Sequence, residues 1–192
     1  MMSDQSLEKR KNEWRIACKE KRAMLGKDEK NTVDLAIAQK LFSSSFYVDS
    51  KQILLYAAVG GEISTLPIYL RAVSDGKRVL FPRCTGPGIM KFFYSETYPS
   101  CPGAFGIPEP NGTEPYSFLP GDLCILPGLA FSEKGARLGY GKGFYDRFLS
   151  FFSGKSVGLC HSAFLFRQIP EGEFDRRADA VITEKEIFTA VL

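Results

Sequence analysis

The order of apolar and polar positions along the chain predicts an alternation of helices and strands. Leu7, Trp14, Cys18 and Leu25 fall on one side of a helix expected over about residues 5–25, and Lys11, Arg15, Lys19 and Arg22 fall on the adjoining stripe. Such a helix docks through its apolar side and turns a basic edge toward its neighbours; a solvated charged face is the alternative. Val33, Ile37 and Leu41 mark a second helix at about 29–44. The run QILLYAAV (52–59) is apolar throughout, as expected of a strand covered on both faces. Gly60-Gly61-Glu62 ends it, and Ser64 or Thr65 can cap a helix reaching about Ser74.

KRVLFP (77–82) and IMKFFYS (89–95) read as further strands, and the Pro- and Gly-rich segment 96–121 as a long loop. DLCILPG (122–128) is another buried strand, FYDRFLSFF (144–152) has Phe144, Phe148 and Phe151 at helical spacing, and KSVGLC (155–160) and ADAVIT (178–183) complete the strand set. Strands alternating with helices predict an α/β fold with a mostly parallel sheet covered on both faces.

Composition narrows the function classes. At 192 residues, with 44% apolar and 24% charged residues, the chain is expected to be one soluble domain spanning residues 1–192. A net charge of +3 gives no whole-molecule field suited to nucleic acid, and a binder using the basic helix would need more basic or aromatic surface elsewhere. The five cysteines are odd in number and form no C-x-x-C pair, which argues against a disulfide framework or a structural zinc. The N-terminus is charged and no run reaches the length of a membrane span, so a cytoplasmic protein without a membrane partner is expected.

The segment ARLGYGKGFYDRFL (136–149) carries the most chemistry. Gly139, Gly141 and Gly143 alternate with Leu138, Tyr140 and Lys142, and Arg137 precedes them. Exposed backbone N–H groups leading into a helix, with an Arg fork and a mobile Lys beside them, make a phosphate cradle. A generic turn fits the spacing equally well; the basic N-terminal helix favours phosphate. The pattern is neither a Walker A loop, since Ala136 and Gly143 break it, nor G-x-G-x-x-G, since Phe144 takes the place of the third glycine. Asp146 in the first turn of the next helix is either a dipole partner or a Mg2+ ligand, and Asp179 is a candidate second carboxylate. The only histidine, His161, adjoins Cys160, but neighbours on a strand face opposite ways, so both are read as structural.

The stretch LPGLAFSEKGARLGYGKGFYDRFL closely resembles the C-terminal motif of the 5-formyltetrahydrofolate cyclo-ligase family. KNEWR (11–15), GGEIST (60–65), FGIPEP (105–110) and ADAVITE (178–184) resemble further family segments in the same order. The resemblance implies a Rossmann-like three-layer α/β/α sandwich and an ATP- and Mg2+-dependent closure of 5-formyltetrahydrofolate, with or without a polyglutamate tail, to 5,10-methenyltetrahydrofolate. It implies ATP contacts from Lys11, Arg15 and the Arg137–Tyr145 segment, namely Arg137, Leu138, Gly139, Tyr140, Gly141, Lys142, Gly143, Phe144 and Tyr145. Substrate contacts fall to Ala57, Glu62, Phe105 and Tyr140, metal contacts to Asp146 and Asp179, and catalytic roles to Lys11, Arg137, Lys142 and Glu62.

Two departures stand out. Phe144 replaces the first tyrosine of the usual Tyr-Tyr-Asp, and Phe174-Asp175 stands in for a His-Asp pair. A monomer or weak dimer is expected, and a folate- or nucleotide-binding module without turnover is the alternative function.

Overall fold

Alternate residues of the central strands point to opposite sides, and both sides are apolar, which forces the sheet into the middle of the molecule. The computed structural model describes residues 4–190 other than Glu114, Tyr116 and Phe118; the outermost residues of the expected domain and part of the expected 96–121 loop lie outside the described residues. The helices are α1 (Asp4–Ala23), α2 (Lys27–Phe42), α3 (Ser45–Val48), α4 (Leu66–Ser74) and α5 (Phe144–Leu149). The strands are β1 (Gln52–Leu54), β2 (Arg78–Gly86), β3 (Ile89–Tyr94), β4 (Leu123–Leu126), β5 (Ala130–Ser132), β6 (Arg137–Leu138), β7 (Lys155–Leu159), β8 (Leu165–Phe166), β9 (Ala180–Ile182) and β10 (Ile187–Thr189).

Seven strands form one sheet in the order β10-β9-β7-β4-β1-β2-β3. β9, β7, β4, β1 and β2 run parallel, and β10 and β3 close the two edges antiparallel. Ile53, Val79, Phe81, Ile125 and Leu159 face one core, which Ile37 and Leu41 of α2 cover. Leu54, Leu80, Leu126 and Val181 face the other, which Cys18 of α1 and Phe148 of α5 cover. The expected three layers follow directly from this alternation.

Three features differ from the reading of the sequence. The second and third strands are a hairpin, because the Gly86–Gly88 turn is far too short for a parallel crossover. A second, three-stranded sheet, β6-β5-β8, sits beyond the main one and carries Arg137 and Leu138. The 52–59 run pairs as a strand only through Leu54. Leu55 still donates to the Leu80 carbonyl at 2.8 Å, and beyond it side chains engage the backbone: Thr65 Oγ1 donates to the Tyr56 carbonyl at 2.5 Å, the Ala58 N–H donates to Tyr98 at 3.1 Å, and the Val59 N–H donates to Glu62 at 2.9 Å. Thr65 therefore stands at the start of α4 without capping it through its side chain.

Among the parallel strands, β1 lies between β2 and β4, so the chain departs from β1 in opposite directions across the sheet. Open α/β sheets bind ligands at the carboxyl ends of strands at such a reversal. Here those ends lead into residues 55–62 after β1 and 127–129 after β4. No helix among the described residues is long and apolar enough to cross a membrane. All five cysteines are free.

Candidate active site

A cavity of about 570 Å3 opens at this reversal. That size suits a nucleotide or a small organic substrate. Its wall brings together four separate stretches: α1, the segment after β1, residues 104–109, and the glycine loop.

Most of the basic stripe of α1 faces this cavity, with Lys19 also exposed to solvent. Lys11, Arg15 and Lys19 line it, and the Lys11 and Arg15 side chains are only 12% and 13% exposed. Arg15 Nε donates to the Gly139 carbonyl at 3.0 Å, which fixes the helix against the loop. Arg22, the last member of the stripe, is used differently: its guanidinium donates to the carbonyls of Gly128 at 2.5 Å and Leu129 at 3.1 Å. The helix docks through Cys18, which is buried, and Trp14, whose ring meets Phe166 edge-on at 4.9 Å.

Residues Gly139 to Gly143 connect β6 to α5 and line the cavity. A Cβ on Gly139 would stand 2.5 Å from Arg137 Nη1, so that guanidinium would have to move. Gly143 has φ +65 at the entry to α5, a left-handed conformation that favours glycine. α5 is only six residues long, so the anion-binding capacity rests on loop N–H groups and neighbouring cations more than on a helix dipole. Arg137 is buried and Lys142 is exposed, with its ammonium 5.4 Å from the Phe105 ring.

Glu62, Ala57, Phe105 and Tyr140 meet on the other part of the wall. Glu62 is 6% exposed, accepts from the Val59 N–H at 2.9 Å and has the Tyr140 hydroxyl beside it. Burial raises its pKa above the usual carboxylate range, and the Val59 and Tyr140 contacts partly offset that. Tyr140 keeps nearly half its surface exposed while its hydroxyl turns in to Glu62; desolvation first, then the nearby carboxylate, pushes its pKa up. Phe105 has φ +57, which is strained for an aromatic residue, and its ring lies 6.1 Å from Phe144. Phe144 thus keeps the aromatic wall despite lacking a hydroxyl. Tyr145 is half-buried, but its hydroxyl is buried with no hydrogen-bond partner among the described residues, and burial raises its pKa far above the ordinary phenol value.

The two expected metal carboxylates are not brought together. Asp146 lines the cavity, where its Oδ1 accepts from Arg137 Nη2 at 3.0 Å and the Arg176 N–H at 3.2 Å. Asp179 precedes β9 at the amino end of the sheet, away from the lining; its Oδ2 accepts from the Ser156 N–H and hydroxyl, both at 2.8 Å. Asp175 is the other aspartate on the cavity wall. Its Oδ2 takes the Lys11 ammonium at 2.5 Å and the Gly172 N–H at 2.7 Å.

Asp146 and Asp175 each retain one oxygen that no described residue engages, a donor set suited to Mg2+ shared with phosphate oxygens. Among the described residues no cluster of three or more His, Cys, Asp or Glu forms a self-sufficient metal cage. Glu109, from the FGIPEP segment, also lines the cavity, as do Tyr56, Cys84 and Met90, which the sequence did not single out. Nothing in their spacing marks them; the fold alone gathers them. Burial raises the Cys84 pKa, which keeps it a thiol.

Comparison with known proteins agrees with this geometry. The model of the 5-formyltetrahydrofolate cyclo-ligase family matches residues 7–184. A Caenorhabditis elegans protein named "Probable 5-formyltetrahydrofolate cyclo-ligase" is 31% identical, with 92% of this chain and 93% of that one covered. The 5-formyltetrahydrofolate cyclo-ligase of Escherichia coli K12 is 26% identical, covering 88% of this chain and 98% of the relative. Among solved structures, the Aquifex aeolicus 5,10-methenyltetrahydrofolate synthetase superposes with a TM-score of 0.81 at 29% identity, over 94% of this chain and 92% of that one.

Proposed function

The chain belongs to the 5-formyltetrahydrofolate cyclo-ligase family, and from that membership we propose that it is an enzyme that closes 5-formyltetrahydrofolate to 5,10-methenyltetrahydrofolate while converting ATP to ADP and phosphate. The observation that carries this reading is one cavity that joins a cationic glycine loop to a buried carboxylate among aromatic rings.

The reaction explains that pairing. The N5-formyl oxygen cannot leave as hydroxide, so it must first become a phosphate ester. The formyl oxygen attacks the γ-phosphorus of ATP and ADP departs, leaving an iminium phosphate. N10 then attacks the formyl carbon, the C–O bond breaks with its electron pair on phosphate, and N10 gives up its proton. Phosphoryl transfer of this kind calls for positioning and charge neutralisation rather than a side-chain nucleophile. The chain supplies both, and Cys84 is held as a thiol.

Lys11, Arg15, Arg137 and Lys142 surround the loop N–H groups and would hold the ATP phosphates, with Arg137 and Lys142 meeting charge that develops on the transferring group. Asp146 and Asp175 would hold Mg2+, which when bound neutralises phosphate charge and fixes the oxygens. Glu62, kept in place by Val59 and Tyr140, would accept from N–H donors of the pterin. Phe105 and Phe144 would cover the ring from the loop side.

The test is incubation of the purified protein with 5-formyltetrahydrofolate, with ATP and Mg2+ added separately and together. The methenyl product absorbs in the near ultraviolet and should form only when both are present. A folded sample that binds ATP and 5-formyltetrahydrofolate yet forms no product would instead be a non-catalytic binding module.

A further inference from the structure

Behind the Gly60–Glu62 turn lies a second, small cavity of about 10 Å3, lined by Arg22, Asp34 and His161 with Leu25, Val33 and Phe164 among its apolar neighbours. Three polar atoms of its lining residues are buried with no hydrogen-bond partner among the described residues: Arg22 Nε, Asp34 Oδ1 and His161 Nε2. The remaining polar atoms of the same side chains are engaged. Arg22 gives its other nitrogens to the Gly61, Gly128 and Leu129 carbonyls. Asp34 Oδ2 accepts from Lys30 at 2.5 Å and from the Ser64 N–H at 3.1 Å. His161 Nδ1 accepts from the Ala163 N–H at 3.0 Å.

These contacts define what the cavity can take. Because His161 Nδ1 is an acceptor, the ring proton stands on Nε2, and Arg22 Nε always carries one. Glu29 Oε1, at 3.7 Å from His161 Nε2, is beyond hydrogen-bond reach. Two donors and one carboxylate oxygen therefore lack partners on residues that share this space. An anion would be set against Asp34, and a cation against two N–H groups. A neutral molecule that accepts twice and donates at least once satisfies all three.

The volume is close to the roughly 10–15 Å3 that one water requires. We infer that this cavity is a site for a single ordered water, which accepts from Arg22 Nε and His161 Nε2 and donates to Asp34 Oδ1.

The water has a consequence for the active site. Arg22 Nη1 donates to the Gly61 carbonyl at 3.4 Å, and Asp34 receives the Ser64 N–H at 3.1 Å, so Glu62 lies between two anchors. The water joins those anchors to each other and to His161, at the end of the segment following β7. α1, α2 and that segment become one support for the turn that presents Glu62. His161 is then a positioning residue that acts through the water, a consequence that rests on the proposed role of Glu62 toward the folate.

A crystal structure of the unliganded protein at a resolution that orders internal waters tests the site. One water should lie within about 2.7–3.2 Å of each of the three atoms. An empty cavity, a bound ion, or direct contacts that close the space would overturn the inference. For the positioning role, His161→Phe removes the Nε2 donor and His161→Gln restores an amide donor.

The KM for 5-formyltetrahydrofolate should rise about three- to tenfold in His161→Phe, stay within about twofold for ATP, and recover in His161→Gln. A folded His161→Phe protein with an unchanged folate KM would overturn the positioning role. If His161→Phe does not fold, the crystal structure and folate KM of His161→Gln still decide: a displaced water with unaltered folate KM counts against the positioning role. Absence of methenyl product from the parent protein would sink the proposed function and leave the water's density unaffected, so the two readings fail separately.

Discussion

Aspartates stand at both ends of the parallel sheet, and their surroundings differ. At the amino end, Asp122 accepts from Gln52 at 2.9 Å and the Leu119 N–H at 2.7 Å, and Asp179 accepts from the Ser156 N–H and hydroxyl. Apart from the exposed Lys155 ammonium 3.5 Å from Asp179 Oδ1, their partners are neutral groups of the protein itself, and together they tie loops to the starts of strands. At the carboxyl end, Asp146 and Asp175 are paired with Arg137 and Lys11, cations that a phosphate would also engage. A carboxylate held by the starts of strands, away from the cavity, completes the fold. A carboxylate that shares its cation with an open cavity is available to exchange partners when an anion and its metal arrive.

The sharpest way to break this comparison is to remove the charge at the carboxyl end. Asp146→Asn should lower turnover by about a hundredfold while the melting temperature changes little. Asp175→Asn should raise the Mg2+ concentration needed for half-maximal rate. A loss of stability with activity intact in Asp146→Asn would return that residue to a structural role. Activity as a function of Mg2+, read beside thermal melts, decides between them.

Lys11→Ala and Arg15→Ala test the cations next to those carboxylates. Each should raise the KM for ATP about tenfold, as expected for loss of a charge-assisted contact worth roughly 1.5–3 kcal/mol, with a smaller change for folate. Lys21 donates to the Ala163 carbonyl and does not line the cavity, so Lys21→Ala is the control and should leave both constants unchanged. Equal effects of all three substitutions would mean that the helix contributes only a diffuse field.

The amino end should respond in the opposite sense. Asp179→Ala leaves the Ser156 N–H without its acceptor and should cost about 1–3 kcal/mol of stability. Its turnover per folded molecule, and its Mg2+ requirement, should match the parent; a raised Mg2+ requirement would restore Asp179 as a metal ligand.

The smallest effect concerns Glu62, a buried carboxylate at the same end as Asp146. Burial raises its pKa in the folded state, so the folded protein binds the proton more firmly than the unfolded chain does. That contribution favours folding below the unfolded pKa and is lost as pH rises from there through the folded value. Glu62→Gln cannot ionise, so it should melt slightly above the parent at about pH 7 and lose that advantage toward about pH 4, with a raised folate KM at both. An equal melting shift at the two pH values would show that charge burial is not its cause.

The sequence by itself determined the layers and the loop. The 53–54, 79–81, 123–126, 157–159 and 180–182 segments carry apolar residues on both faces, which a covered parallel sheet accommodates. The glycines at 139, 141 and 143, with Arg137 and Lys142 beside them, marked a loop suited to phosphate, because backbone freedom and charge at that spacing are local properties, though a generic turn fits the same spacing. The basic edge of α1 was legible as a stripe, but whether it faced solvent or a cavity was not.

Only the tertiary structure settled that, because the direction of a stripe depends on where the helix docks. It also decided which aspartate joins Asp146. Asp175 and Asp179 are four residues apart, and between them the chain passes from the cavity to the opposite end of the sheet, a change of place with no local signature in the sequence. The third strand's antiparallel direction, the small second sheet and the water-sized cavity behind Glu62 are of the same kind. Each depends on contacts between residues far apart in the chain, and spacing along the sequence carries no record of those.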